Sequence, residues 1–215
     1  MLVMENRHSK LWGDKKWQWV KTDKHCWKHM HIEGNGPKMC RSVAEFLPKE
    51  KRQLIIQAGG NCGMVPMEYS RYFDRVVTFE PDPLNFKCLV ANISSKRITS
   101  IQACLGSKSG ETVPMRNNGK NIGSCHVSVA PPTFHAMTLT IDSLHLAPNV
   151  IHLDVEGYEL EVLNGAMKTI ETFKPVIVSE IKPDKRFDFW EFIRKYSYTE
   201  IATLSNGDYV YVSKG

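Results

Sequence analysis

The sequence lacks any run near the roughly 18 apolar residues that a membrane-crossing helix needs, so no such helix is expected. Its first residues, Met1 to His8, carry no apolar stretch of the signal-peptide kind, and the expectation is a cytoplasmic chain with no membrane partner. Cys-x-x-Cys pairs are absent. The six cysteines, at 26, 40, 62, 88, 104 and 125, are too sparse in 215 residues for a disulfide scaffold and are expected as free, mostly buried thiols. Internal repeats and low-complexity tracts are also missing, which excludes solenoids and fibres. What remains is ordinary for a globular α/β-sized chain: 42% hydrophobic and 24% charged residues.

The net charge of +5 is local. Residues 1–31 hold Arg7, Lys10, Lys15, Lys16, Lys21, Lys24 and Lys28 against Glu5, Asp14 and Asp23, and the rest of the chain is close to neutral. That excludes a generally basic nucleic-acid coat. The same stretch holds Trp12, Trp17, Trp19 and Trp27, and Lys16-Trp-Gln-Trp-Val-Lys21 alternates as a half-buried strand does. Gly34 to Pro37 reads as a turn and Met39 to Leu47 as a short helix. We therefore divide the chain into a basic, Trp-rich extension over 1–37, serving as a cap, an acceptor contact or a dimer contact, and a main domain over 38–215. His25, Cys26, His29 and His31 have metal-ligand chemistry, but their spacing fits no zinc module and no metal is expected.

From Gln53 the pattern alternates. Leu54 to Ile56, Arg75 to Phe79 and Ile98 to Cys104 read as strands, with helices over Met64–Phe73 and Leu84–Asn92 between them. Such spacing predicts a parallel sheet with right-handed crossovers. Residues 105–135, rich in Gly, Ser, Asn and Pro, read as a functional loop or lid. Ala136–Ile141, Asn149–Asp154 and Pro175–Glu180 read as further strands, and Tyr158–Ile170 and Phe187–Tyr196 as helices. Thr199–Leu204 and Tyr209–Val212, joined through Asn206-Gly207, predict a closing antiparallel hairpin.

Ligands of an open parallel sheet bind beyond its carboxyl edge. Gln57-Ala-Gly-Gly-Asn-Cys-Gly63 is a glycine loop there, expected to offer the free amides of a helix N-terminus; Asn61 breaks the dinucleotide fingerprint and disfavours a nicotinamide dehydrogenase. Glu80 follows Gly59 by 21 residues, the position at which a carboxylate takes ribose hydroxyls of an adenosine-type cofactor. Asp154, Glu156 and Glu159 make the fourth strand tip electronegative, which suits a sulfonium and an ammonium group; Glu159 reads as a first-turn helix acid. His126, in the polar loop Gly123-Ser-Cys-His126, has the chemistry of a general base.

Together, Ala58-Gly-Gly-Asn-Cys-Gly63, Thr78-Phe-Glu-Pro-Asp-Pro83, Thr140-Ile-Asp-Ser-Leu144, Ile151-His-Leu-Asp-Val-Glu-Gly-Tyr-Glu-Leu-Glu-Val-Leu-Asn-Gly-Ala166 and Val176-Ile-Val-Ser-Glu180 resemble the FkbM-type family of S-adenosylmethionine-dependent O-methyltransferases. The resemblance covers residues 53–181 in order. It implies a Rossmann-like, mostly parallel seven-stranded sheet flanked by helices and closed by the antiparallel hairpin. It also implies that Gly59, Asn61 and Gly63 wrap the methionine part of S-adenosyl-L-methionine, with Gln57, Ala58, Gly60 and Pro81 also at the cofactor. Glu80 would hold the ribose, Gln102, Ala103 and Cys104 would lie by the adenine, and Asp154 near the methyl group and the acceptor. The family usually has an acidic residue where this chain has Gln57. The expected reaction is in-line methyl transfer to a hydroxyl of a small molecule or glycan, with Asp154, then His126, then Glu156 as base. Two alternatives stay open: an RNA methyltransferase holding its strand with the basic aromatic extension, and a catalytically silent cofactor-binding module. A homodimer is possible on this reading.

Overall fold

Why the chain alternates between layers is visible in its first elements. In a computed structural model, described over residues 3–117, 120–204 and 207–214, β1 (Met4–Ser9) and β2 (Lys15–Val20) form an antiparallel hairpin. Period-two alternation sends Trp17 and Trp19 inward, at 0% and 1% exposure, and leaves Lys16 in solvent. A short helical stretch follows, α1 (His25–Trp27), running into a π-type turn over Lys28–Ile32. Gly34, at φ 71°, then starts α2 (Asn35–Glu45). The expected turn at 34–37 is thus the first turn of that helix: Pro37 sits where a helix has no use for its missing N–H, and the helix runs across the boundary drawn at 37.

β3 (Leu54–Ala58) is buried throughout, as a strand covered on both faces must be. α3 (Met64–Tyr69), β4 (Arg75–Phe79), α4 (Pro83–Asn92) and β5 (Ile98–Ile101) complete the predicted alternation. The third strand stops at Ile101, however. Cys104 belongs to β6 (Cys104–Leu105), which joins β7 (Thr112–Arg116), β8 (His126–Val127) and β9 (Phe134–Leu139) in a separate four-stranded sheet of order β6-β9-β7-β8. The expected loop at 105–135 is therefore largely a small sheet, with Met115 and Ala136 as its own core. Asn118 and Gly119 of that stretch lie outside the described residues.

β10 (Val150–Leu153) pairs in parallel with β3 on one side and with β11 (Val176–Ser179) on the other. Between β10 and β11 the single expected helix is two, α5 (Glu159–Asn164) and α6 (Met167–Phe173). The break is at Gly165, where a Cβ would stand 2.0 Å from the Gly106 carbonyl oxygen. Asp142 fills the break. Its amide donates to the Gly165 carbonyl, and its carboxylate accepts from the amide and hydroxyl of Thr169 and from the Lys168 amide, capping α6 from outside. α7 (Arg186–Lys195) leads to β12 (Tyr198–Thr203) and β13 (Tyr209–Ser213), the antiparallel hairpin read from the sequence; Asn206 of its turn lies outside the described residues.

The large sheet has seven strands, in the order β12-β13-β11-β10-β3-β4-β5, and β13 alone runs against the rest. One core lies between this sheet and α5 to α7, the other between it and α2 and α3. The six cysteines are free. Among the described residues no helix is long and apolar enough to cross a membrane.

Candidate functional site

At the carboxyl edge of the large sheet is a cavity of about 480 Å³. Its floor is made of strand ends: Ala58, Gly59 and Asn61 after β3, Glu80 and Pro81 after β4, Ala103 and Cys104 after β5, Asp154 and Glu156 after β10, Glu180 after β11 and Asp208 before β13. Its roof is the N-terminal segment, with His25, Cys26, Lys28, His29 and Glu33, and the start of α2. Ile122, Gly123 and Cys125 of the polar loop close one side. The extension is thus a wall of the cavity.

Two anchors hold that wall. Asp23, fully buried, accepts from Trp19 Nε1 at 2.7 Å and from the amides of Trp27 and Cys26, so it ties β2 to the turn above the cavity. Asn92 at the end of α4 takes the Gln18 amide at 2.7 Å and donates to the carbonyls of Gln18 and Cys62, clamping β2 against the glycine loop. The tryptophans pack on one another and around His31, which Trp27 stacks at 4.1 Å. Burial holds the His31 ring neutral, its pKa down to about 3.

The glycine loop bends where only certain residues can. Gly59 and Gly63 have φ of 90° and 93°, and Asn61, at 46°, is of the residue type that best tolerates the left-handed region. Its amides are not free as the sequence suggested. Those of Gly59 and Gly60 donate to the Phe79 carbonyl, that of Asn61 to Glu80 Oε2 at 2.7 Å, that of Cys62 to the Asn61 side chain and that of Gly63 to the Gly60 carbonyl. The loop is a hydrogen-bonded cradle that turns Gly59 and the Asn61 and Glu80 side chains to the cavity. Gln57, fully buried, lies behind it, donating to the Ala58 and Gly59 carbonyls and accepting from the Thr78 hydroxyl.

Glu80 is 4% exposed. Its second oxygen takes the Asp82 amide at 2.9 Å, while Asp82 itself caps α4. Burial pushes the Glu80 carboxyl up to about 7, against the pull of these amides. Asp154 is raised well above the usual carboxylate range by burial and then by the charge of Glu180, whose own carboxyl is raised by burial. Oxygens of Asp154, Glu156 and Glu180 all lie within 4.8 Å of one another, a spacing that also suits a cation. Glu156 adopts φ 58° and is held there by Lys182, whose Nζ donates to its carbonyl at 2.9 Å and pairs with its carboxylate at 3.0 Å. Glu159, as expected, is a first-turn acid, accepting from the amides of Val155 and Gly157.

The structure thus brings Ala58, Gly59, Asn61, Glu80, Pro81, Ala103, Cys104, Asp154 and Glu156 to one cavity. Gln57, Gly60 and Gly63 shape its floor from behind. Gln102 is exposed to solvent, and His126 stands outside the lining with its Nδ1 2.8 Å from the Ser124 carbonyl oxygen. Glu180 and Asp208 were not among the residues picked from sequence. Glu180 had a signal, as the acid ending the next strand. Asp208 had only the predicted hairpin, whose return strand starts at the edge where the others end.

Residues 61–211 match the family model described as the methyltransferase FkbM domain. Hexuronic acid methyltransferase AglP of Haloferax volcanii is 33% identical over 109 residues, which span 48% of this chain and 46% of that protein. Methyltransferase FkbM from Methylobacillus flagellatus superposes with a TM-score of 0.56 at 19% identity, over 75% of this chain and 44% of that one. Trm5b from Pyrococcus abyssi superposes with 0.54 at 11% identity, over 98% and 55%. The two structures share the fold.

Proposed function

The chain belongs to the FkbM methyltransferase family, and from that premise we propose that this methyltransferase uses S-adenosyl-L-methionine to methylate a hydroxyl oxygen of a sugar. The observation that carries the reading is the convergence of Glu80, the Gly59–Asn61 bend and Asp154 on one cavity. A Cβ at Gly59 would lie 2.1 Å from the Asp154 carbonyl oxygen, so only a bare backbone leaves both tips in place beside a ligand. The relative named for hexuronic acid supports the sugar acceptor.

On this reading the cofactor supplies a methyl group activated by a positive sulfur. The protein's part is alignment and the removal of a proton. Each Glu80 oxygen takes one backbone amide and keeps a lone pair for ribose hydroxyls. Ala103 and Cys104, which line the cavity after β5, would border the adenine. Asp154, next to Glu180, takes the acceptor's proton; a carboxyl raised by burial and a like charge is a stronger base than an ordinary one. The roof formed by residues 25–33 covers the cavity and would limit the access of water to the reacting groups. Trp17 and Trp19 are buried, and the half-buried Trp12 and Trp27 are engaged by Arg71 and by His31 and Arg7, which favours the sugar over stacking of an RNA strand.

Calorimetric titration of the wild type and of Glu80→Ala with S-adenosylhomocysteine and with NAD tests the cofactor. Micromolar binding of S-adenosylhomocysteine alone, lost in the variant, is expected. Binding of NAD, or of neither, overturns the reading. Methyl transfer from labelled cofactor to a panel of uronic acids and neutral sugars then tests the acceptor.

A further inference from the structure

One carboxylate of the cavity is braced in a way the reaction above does not use. Tyr209 pairs with Ser179 across β13 and β11, and Ser179 with Leu153 across β11 and β10. Because β13 runs against its neighbours, the residue before Tyr209 emerges where the residues after Ser179 and Leu153 do. Asp208 therefore continues the row of Asp154 and Glu180. It is 3% exposed and lines the cavity.

Behind it stands His152, 1% exposed in the middle of β10 and on the same face as Asp154 by the two-residue repeat. Its Nε2 lies 3.3 Å from Asp208 Oδ2, close but short of an aligned hydrogen bond. Its Nδ1 lies 3.0 Å from the hydroxyl of Tyr69. That hydroxyl also approaches Met39 Sδ at 3.4 Å, but a ring nitrogen is the better acceptor. With the hydroxyl donating to Nδ1, the ring is neutral and its proton sits on Nε2, the nitrogen nearer Asp208. The carboxylate thus has the N–H dipole of a buried imidazole beside it on one side and the cavity on the other. Asp154, Glu156, Glu180 and Asp208 together face the cavity with Lys182 as the cation paired to them, through Glu156.

Resting on the reading that the cavity holds S-adenosylmethionine, we propose that Asp208, braced by His152 and Tyr69, is a positioning residue that makes the cavity prefer the charged cofactor to its neutral product. Methyl transfer breaks the bond between sulfur and the methyl carbon and forms one from that carbon to the acceptor oxygen. The electron pair stays on sulfur, which loses its positive charge, and the acceptor's proton passes to the Asp154–Glu180 pair. A row of carboxylates attracts the ligand before that step more than after it. The product is then released from a site that no longer matches its charge.

Titration calorimetry at low salt with S-adenosylmethionine and with S-adenosylhomocysteine, on the wild type, Asp208→Asn and Tyr69→Phe, tests this. The expected result is tighter binding of the sulfonium form by the wild type, a preference reduced about tenfold in Asp208→Asn and partly in Tyr69→Phe. A purely structural role would weaken both ligands equally, and an unchanged preference overturns the inference while leaving the cofactor reading intact. A wild type that binds neither ligand overturns the cofactor reading and this inference with it. Should Asp208→Asn fail to fold, Tyr69→Phe, which removes one hydroxyl, decides alone.

Discussion

Gly59 and Asp154 meet so closely that a side chain on the glycine would stand 2.1 Å from the aspartate's carbonyl oxygen. Two strand tips from neighbouring parallel strands are in this way locked at one separation. Gly59→Ala adds that clash to a φ of 90°. The expected cost is at least about 2 kcal/mol of unfolding free energy in a denaturant titration, with loss of S-adenosylhomocysteine binding. Retention of both would mean that the tips part freely.

Asp142 lies away from the cavity and caps α6 through Lys168 and Thr169. Asp142→Ala should lower stability by about 1–3 kcal/mol. Cofactor affinity should be unchanged, because no lining residue depends on it. A stability within experimental error of the wild type would remove the cap from the account.

Burial raises Glu80 from an ordinary 4.5 to about 7. Between those values the folded chain binds a proton that the unfolded chain releases. This contribution to stability is present in full below about pH 4.5 and lost as pH rises through 7. In Glu80→Gln the fall should be smaller by up to roughly 3 kcal/mol, read as the difference between two curves of unfolding free energy against pH. Parallel curves would contradict the burial of the charge.

Asp23→Ala removes the acceptor shared by Trp19, Trp27 and Cys26. Three donors left without a partner should cost at least about 3 kcal/mol. Residues 25–33 should become the first site of limited proteolysis, and the cavity should lose its roof and with it affinity for S-adenosylhomocysteine. Protection of that segment in the variant would assign the roof to other contacts.

Strands β3, β4, β10 and β11 were legible because each is a short, largely apolar run followed by Gly, Glu or Asp, and those following residues line the cavity. The hairpin was legible from its alternating flanks. The small sheet was not: β6 and β8 are two residues long, β7 contains Pro114, and a composition of Gly, Ser and Asn conceals pairing that only tertiary contact creates. The break at Gly165 was hidden because the groups that pack there, the Gly106 carbonyl and Asp142, are far away in sequence. Asp208 escaped notice for a topological reason, since a strand that returns brings its first residue, not its last, to the ligand edge.

The clamp of Asn92 on Gln18 joins residues 74 apart. A contact of that separation carries the closure entropy of the whole stretch between its ends. The β1–β2 hairpin has its docking surface only where α4 and the glycine loop are already in place. The seat of the cavity's roof is therefore set by a contact on the far side of the glycine loop, and a change at Asn92 would reach the cavity without touching its lining.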